Sequence, residues 1–403
     1  MRSVHRDWRK SRSPAASAAR PLACVIGSMD LVRPLGLAGI QCAVIVEAGD
    51  VAAYSRFTRE VIPLADPRRE PDVLLERLLR FAGTQAEPPV LYYGQDADLL
   101  FVSRHRDRLR DGFRFVIPEP RLVEDLVDKE RFSELARRLE LPVPTAITVD
   151  ASSVSPGNLD LRFPLVIKPA AERGSWAAVA NGAKALAATT PDELRALWSH
   201  LARERLRVLV QEMVPGPETR IESYHVYVDG AGRTAGEFTG RKIRTEPPEF
   251  GETTALEITA ERDVAELGRE VTRRLGLQGV AKLDFKRDPG GRLRLLEVNA
   301  RFNLWHHAGA RAGVNLPALV YADLAGRARP RTQQARPGVR WIYHSHDARA
   351  ARRQGVPVRR WIPWAIASEA KSIVALDDPL PAVMGALVRV GGRIGVGPRA
   401  HRG

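Results

Sequence analysis

Between positions 282 and 303 the chain reads KLDFKRDPGGRLRLLEVNARFN, and several of these side chains have types and spacing suited to a chemical job. Two alternating segments, 280–286 and 293–299, flank a turn built on Asp288, Pro289, Gly290 and Gly291, which predicts a β-hairpin. Successive strand side chains point to opposite faces, so Glu297, Asn299 and Arg301 emerge together while Leu296 and Val298 anchor the other side. On the partner strand Asp284 follows the same logic against Leu283 and Phe285. The hairpin thus gathers two carboxylates, an amide oxygen and a guanidinium. Hard oxygen donors of this kind hold Mg²⁺ best when a nucleotide's phosphates complete the coordination. A neighbouring arginine can then stabilise charge on a transferring phosphoryl group. The plainer alternative is an acid-rich surface hairpin whose polar face is merely wet.

The elements that must position this hairpin can be read along the chain. LACVIG, QCAVIVE and PPVLYYG are short apolar runs separated by helical or polar stretches, which is βαβ spacing and implies a parallel sheet covered by helices. Gly27 and Gly36 bracket the first turn but fall short of a dinucleotide fingerprint. The turn after the third run carries Gly94, Gln95, Asp96 and Asp98. Ligands favour the carboxyl ends of parallel strands, so this turn, with Asp96, is a candidate substrate rim. Residues 121–140 predict two helices broken near Asp128, the second opened by Lys129. FPLVIKPA predicts a strand bearing Lys168, and the small-residue loop ERGSWAA after it resembles a lid whose amides and ammonium could hold phosphates. A short strand around 179–185 comes next, then a helix capped by Thr190 with Pro191 in its first turn, then the strand VLVQEMVPG. A meander follows, with Glu222 on its first strand and Lys242 near its end. A helix closing at Gly276 delivers the chain into the hairpin. Just beyond the hairpin, Trp305, His306 and His307 are expected to line its pocket, since adjacent histidines do not easily share one metal.

Composition narrows the class. A chain of 403 residues is too long for one compact core and suggests two or three domains. No uninterrupted apolar run approaches the ~18 residues that span a bilayer. Cys24 and Cys42 lie in apolar runs and read as small core residues of a reducing compartment. The net charge of +14 invites a nucleic-acid reading, but the basic residues are spread along the whole chain and nearly all are arginine. Lysine occurs only at 10, 129, 168, 184, 242, 282, 286 and 371, and several of these fall where phosphates would be bound. Residues 1–20 are rich in Arg, Ser and Ala and lack the apolar stretch of a secretory signal. They are expected to be a disordered tail or a misassigned start, ahead of a transit peptide.

The order of the pieces resembles the ATP-grasp superfamily over residues 22–326: a βαβ domain, Lys129, strand Lys168 with its loop, the hinge QEMVPG, a meander, and DF…LLEVNAR. The stretches FTGRKIRTEPPEFG and NARFNLWHHAGARAGVNLP, and more weakly DDPLP, resemble predicted carboxylate–amine ligases within it. The resemblance implies an α/β (α+β) ATP-grasp fold. Residues 21–118 would form the N-terminal domain, residues 119–327 the ATP-grasp domain with its lid at 163–213, and residues 328–403 a C-terminal extension. It also implies roles. Lys129, Lys168 and Ser175 of the lid would contact ATP phosphates. The hinge residues Glu212, Met213 and Val214 would read the adenine. Glu222, with Glu218 as the alternative, would bind ribose. Asp284, Glu297 and Asn299 would hold one or two Mg²⁺ ions, Mn²⁺ being an alternative metal. Arg301 and Lys242 would neutralise the transferred phosphoryl group. Trp305, His306, His307, Arg311 and Asp96 would meet the substrates.

Carboxylates do not react with amines at neutral pH, because oxide is too poor a leaving group. Phosphorylation by ATP gives an acyl phosphate, from which phosphate leaves readily. Positioning and charge neutralisation then suffice, with no side-chain nucleophile. Neither GxSxG, HExxH nor CxxC occurs in the chain. The expected activity is therefore an ATP- and Mg²⁺-dependent ligase joining a carboxylate to an amine. Carboxylase-like or kinase-like chemistry is the alternative within the same fold, and a basic nucleic-acid-binding protein is the alternative from another class. The expected partners are small molecules, with no nucleic acid and no membrane, in a cytoplasmic protein for which a homodimer is an allowed assembly.

Overall fold

The computed structural model describes residues 20–170, 176–181 and 183–393. Ser175, most of the lid loop and the leader at 1–19 lie outside the described residues.

Four short strands, β1 (Ala23–Ile26), β2 (Cys42–Val46), β3 (Thr58–Pro63) and β4 (Val90–Tyr93), form a parallel sheet in the order β3-β2-β1-β4. β1, β2 and β4 are apolar throughout because helices cover both faces. The edge strand β3 reads TREVIP and is buried only in part, which is why its sequence gives no strand signal. Cys24 and Cys42 are buried free thiols on neighbouring strands, as expected. Asp128 ends the helix Pro120–Val127 and caps Lys129–Arg138, accepting from the Arg131 amide at 2.9 Å.

The second sheet is antiparallel, in the order β5-β8-β6-β7, from β5 (Ala146–Asp150), β6 (Leu165–Pro169), β7 (Leu186–Ala188) and β8 (Arg207–Glu212). It packs Ile167, Val208 and Val210 against Leu194 and Trp198 of the helix Pro191–Arg203, in an apolar cluster of its own. The strand expected around 179–185 lies instead at 186–188. The Ala-rich run Trp176–Ala180 takes helix, the state its composition favours.

The third sheet has seven strands: β9 (Ile221–Val228), β10 (Thr234–Glu246), β11 (Glu252–Thr259), β12 (Gly279–Arg287), β13 (Leu293–Asn299), β14 (Arg340–Ile342) and β15 (Ala370–Lys371), in the order β13-β12-β9-β10-β11-β14-β15. Leu283 and Phe285 share an apolar cluster with Cys24 and Ile45 of the first sheet. On the opposite face Leu256 and Trp305 share another with Val25 and Val44. The segment after residue 327 is thus no detached extension: β14 and β15 continue the central sheet. Asp378, from the DDPLP stretch, is 1% exposed and accepts from the Ser55 hydroxyl at 2.7 Å and the Arg56 amide at 2.9 Å. Among the described residues no helix is long and apolar enough to cross a membrane.

Candidate active site

The β12–β13 hairpin pairs Lys282 with Asn299 and Asp284 with Glu297, so these four side chains share one face. A bulge follows, since Phe285 pairs with Leu295 and leaves Leu296 extra. Leu295, fully buried, therefore anchors the far side with Val298, in the place expected for Leu296. Asp284 is 2% exposed and accepts from the Ser223 hydroxyl of β9 at 2.5 Å and from the Lys282 ammonium at 2.7 Å. Burial opposes its charge, but Lys282 and Lys242 outweigh that and hold the carboxyl well below the usual range. Lys282 answers in kind. Burial alone would lower its pKa, while Asp284 and Glu297 raise it above the ordinary lysine value.

Lys286 continues the same face, 3.9 Å from Glu218, and burial with the nearby Lys242 and Arg220 charges lowers its pKa against the pull of Glu218 and Glu249. Lys168 reaches in from the lid sheet and donates to Gln211 at 3.0 Å. Burial lowers its pKa, while Glu297 and Glu218 pull the other way. Lys129 donates to the Pro169 carbonyl at 2.7 Å, which ties its helix to the end of the Lys168 strand. Five of the eight lysines of the chain are thereby grouped around this hairpin and lid strand. Lys282, Lys286, Ser223 and Gln211 are additions to the residues singled out in the sequence. Lys282 and Lys286 were legible there, alternating with Asp284 at period two.

Arg301 sits where the N-terminal sheet meets the hairpin. Its Nε donates to Asp96 at 2.5 Å, its Nη1 to the Gly94 carbonyl at 3.0 Å, and its Nη2 to Asn299 Oδ1 at 3.3 Å. Asn299 in turn donates to Glu297 at 3.0 Å. The turn after β4 and the Asn299 face of β13 are thus joined in one hydrogen-bonded string.

Other expected residues sit elsewhere. Glu212 turns away from Lys168, because β8 alternates and Gln211 takes the Lys168 face. Its carboxylate is gripped by Arg162 at 3.1 and 3.0 Å, which lowers its pKa. With Met213 and Val214 it lines a cavity of about 380 Å³ behind the hinge. Glu222 pairs with Phe285 across the sheet and so lies on the face opposite Asp284, leaving Glu218, of these two, as the one whose charge Lys168 feels. Trp305, His306 and His307 point into the core, each at most 2% exposed. Trp305 lies over Gly240, where a Cβ would come within 2.7 Å of its ring. Burial keeps both imidazoles neutral, pushing His306 down to about 3 and His307 well below its usual range. Arg311 is exposed at the end of the same helix, and its charge is felt by Arg33, His307 and Lys371.

Comparison with known proteins gives this arrangement a family. Residues 205–346, which hold the meander and hairpin, match the family model described as "ATP-grasp in the biosynthetic pathway with Ter operon". The chain is 24% identical over 345 residues to a D-aspartate ligase of Enterococcus faecium, covering 81% of this chain and 79% of that protein. The chain belongs to the ATP-grasp superfamily. A D-alanine–D-alanine ligase of Pseudomonas putida is 28% identical over 218 residues, covering 49% of this chain and 64% of its own length, so the match spans less than two thirds of that relative. The fold of this ATP-grasp chain also matches the crystal structure of an L-amino acid ligase from Bacillus licheniformis, with a TM-score of 0.56 at 14% identity over 77% of this chain and 75% of that one.

The residues present fit a divalent metal. Asp284, Glu297 and Asn299 offer only hard oxygen donors, and a cation of the chain itself, Lys282, already stands 2.7 and 3.7 Å from the two carboxylates. Among the described residues no three His, Cys, Asp or Glu side chains come together as a group that could hold a metal ion.

Proposed function

We propose that this chain activates a carboxylate with ATP as an acyl phosphate and joins it to the amine of an amino acid, releasing ADP and phosphate. The observation that carries the reading is the joint placement of Lys282, Lys286 and the Asp284–Glu297 pair on one sheet face beneath the lid lysine Lys168. Mg²⁺, held by Asp284, Glu297 and Asn299, would supply charge neutralisation to the nucleotide phosphates. A carboxylate oxygen of the substrate bonds to the γ-phosphorus as the bond to ADP breaks. Arg301 and Lys242 face the negative charge that develops there. The amine nitrogen then bonds to the acyl carbon, phosphate departs with the electron pair of the carbon–oxygen bond, and the nitrogen loses a proton. Asp96 and Gly94 orient Arg301 for the first step through the contacts already described. Exclusion of water falls to the lid, since water would hydrolyse the acyl phosphate.

The test is an ADP-release screen with MgATP against L- and D-amino acids and small carboxylates, singly and in pairs. ADP release that needs both a carboxylate and an amine, with an amide product by mass, supports the reading. Release driven by bicarbonate alone would favour carboxylase-like chemistry, and release with no carboxylate would overturn the mechanism.

A further inference from the structure

The segment after residue 340 places one fully buried carboxylate among four donors. Asp347, in the helix His344–Arg353, is 0% exposed. It accepts from Arg244 Nε at 2.8 Å and Nη2 at 2.7 Å, from the Thr254 hydroxyl at 2.8 Å and from Trp361 Nε1 at 2.8 Å. The Arg244 guanidinium also lies 4.3 Å from the ring centre of Trp364, a second indole of the helix Val358–Ala367.

The two sheet residues gripped by Asp347 are those at which β10 and β11 lose register. Lys242 pairs with Leu256 and Arg244 with Ala255, so Ile243 is extra on β10. Thr245 then pairs with Thr253, so Thr254 is extra on β11. In an unbroken strand, residues two apart share a face. The bulge separates them. Arg241 pairs with Glu222 and Glu222 with Phe285, so Lys242, one residue on, falls on the face of Asp284 and Lys286, while Arg244 turns to Asp347. The Thr254 hydroxyl also lies 3.3 Å from the Arg244 carbonyl, which ties both irregularities to one anchor.

We infer that Asp347 is a positioning residue for Lys242: by pinning the double bulge through Arg244 and Thr254, the C-terminal helices set where the Lys242 ammonium points. The inference rests on the role given to Lys242 in phosphoryl transfer. A point ammonium misplaced by about 1 Å can cost on the order of a hundred-fold in rate, so the anchor belongs to the reaction although it touches no substrate.

The test compares wild type, Lys242→Ala, Asp347→Asn and the double variant. It reads ADP release from MgATP with a mixture of L- and D-amino acids, and ATP affinity by titration. Asp347→Asn is expected to lower kcat roughly ten-fold or more with ATP affinity changed less than about two-fold, and to add little in the Lys242→Ala background. Independent, multiplying losses overturn the inference, as does wild-type turnover in Asp347→Asn. Should Asp347→Asn fail to fold, Trp361→Phe, which withdraws one donor of four, must show a smaller fall in kcat alone. A readout free of substrate is the NMR signal of ¹³C-dimethylated Lys242, which must shift in either variant; an unmoved signal overturns the inference. If Lys242→Ala itself turns over like wild type, the role of Lys242 falls, a failure separate from a silent Asp347.

Discussion

The Lys282 ammonium lies 2.7 Å from the Asp284 carboxylate, two residues along the same strand face, and 3.7 Å from Glu297. A chain cation therefore stands among the oxygen donors of the proposed metal site. The pair is buried, and each partner stabilises the charge of the other. Removing one member of a buried pair leaves the other charge uncompensated, which costs more than the pair contributes.

Lys282→Met should accordingly destabilise the protein by about 3 kcal/mol, because Asp284 keeps the Ser223 hydroxyl and the more distant Lys242 charge but loses its paired ammonium. Millimolar Mg²⁺ or Mn²⁺ should restore part of the loss, since a divalent ion can replace the missing positive charge. Thermal melts with and without metal measure both. The rescue should vanish when Glu297→Gln and Asn299→Ala are added, and those two changes alone should abolish Mg²⁺-dependent ATP turnover in a folded protein. A melting curve of Lys282→Met indifferent to metal would place the ion elsewhere.

Strand parity at the hinge makes a second prediction. Lys168 and Gln211 share one face of the lid sheet and Glu212 the other. Lys168→Ala should weaken binding of a non-hydrolysable ATP analogue by ~1–3 kcal/mol, the cost of a lost charge-assisted contact. Gln211→Ala should weaken it as well, whereas Glu212→Gln should loosen only the Arg162 contact. Isothermal titration of the three variants decides. A larger loss in Glu212→Gln than in Gln211→Ala would return the adenine contact to Glu212.

How far the sequence carried follows from these cases. Period-two alternation fixed the face of Asp284, Glu297, Asn299 and Arg301, because a hairpin with one apolar side admits a single orientation. The same rule would have found Lys282 and Lys286. Bulges defeat it: Leu295 replaced Leu296 as anchor because Leu296 is the extra residue. The parity of Glu212 and Glu222 depends on which sheet face meets the cleft, a tertiary fact that no local pattern contains. Trp305, His306 and His307 follow the hairpin in sequence, but their helix turns them into the core that the first sheet shares. The weld of β14 and β15 to the central sheet rests on strands of three and two residues, too short to signal.

Glu222 supplies a prediction in pH. Burial, with Glu261 second, pushes its carboxyl up to about 7 against the pull of Arg287 and Arg241, with Asp263 adding to the rise, and its Oε2 is buried without a hydrogen-bond partner among the described residues. The folded state thus holds the proton more tightly than the unfolded chain. The stability this contributes is fully present below the ordinary glutamate range near ~4.3 and is lost as pH rises through the folded value. Glu222→Gln, neutral at every pH, should gain on wild type by roughly 1 kcal/mol between pH 5 and pH 8 once solvent screening is allowed for. Urea unfolding at both pH values measures the difference. Parallel pH profiles would mean that Glu222 is ionised in the folded protein at neutral pH.

The last prediction concerns the acid-activating step and the string from Asp96 to Glu297. Arg301 is held at three points, by Asp96, the Gly94 carbonyl and Asn299, so its guanidinium is oriented before any substrate arrives. A group fixed in this way stabilises charge that appears only in the transition state, and its loss should depress turnover far more than ATP affinity. Arg301→Lys should restore little, since one ammonium cannot span three acceptors and still face the phosphoryl group. Asp96→Asn should be milder, because the amide oxygen still accepts from Nε while the other two anchors persist. The deciding measurement is positional isotope exchange in ATP with a carboxylate present and no amine. Exchange in wild type indicates a reversible acyl-phosphate step, and its loss in Arg301→Lys with ATP affinity retained assigns Arg301 to that step. An Arg301→Lys variant that exchanges at the wild-type rate would leave the guanidinium only the task of joining the N-terminal sheet to the hairpin, and the charge on the phosphoryl group would then fall to Lys242 and Lys282.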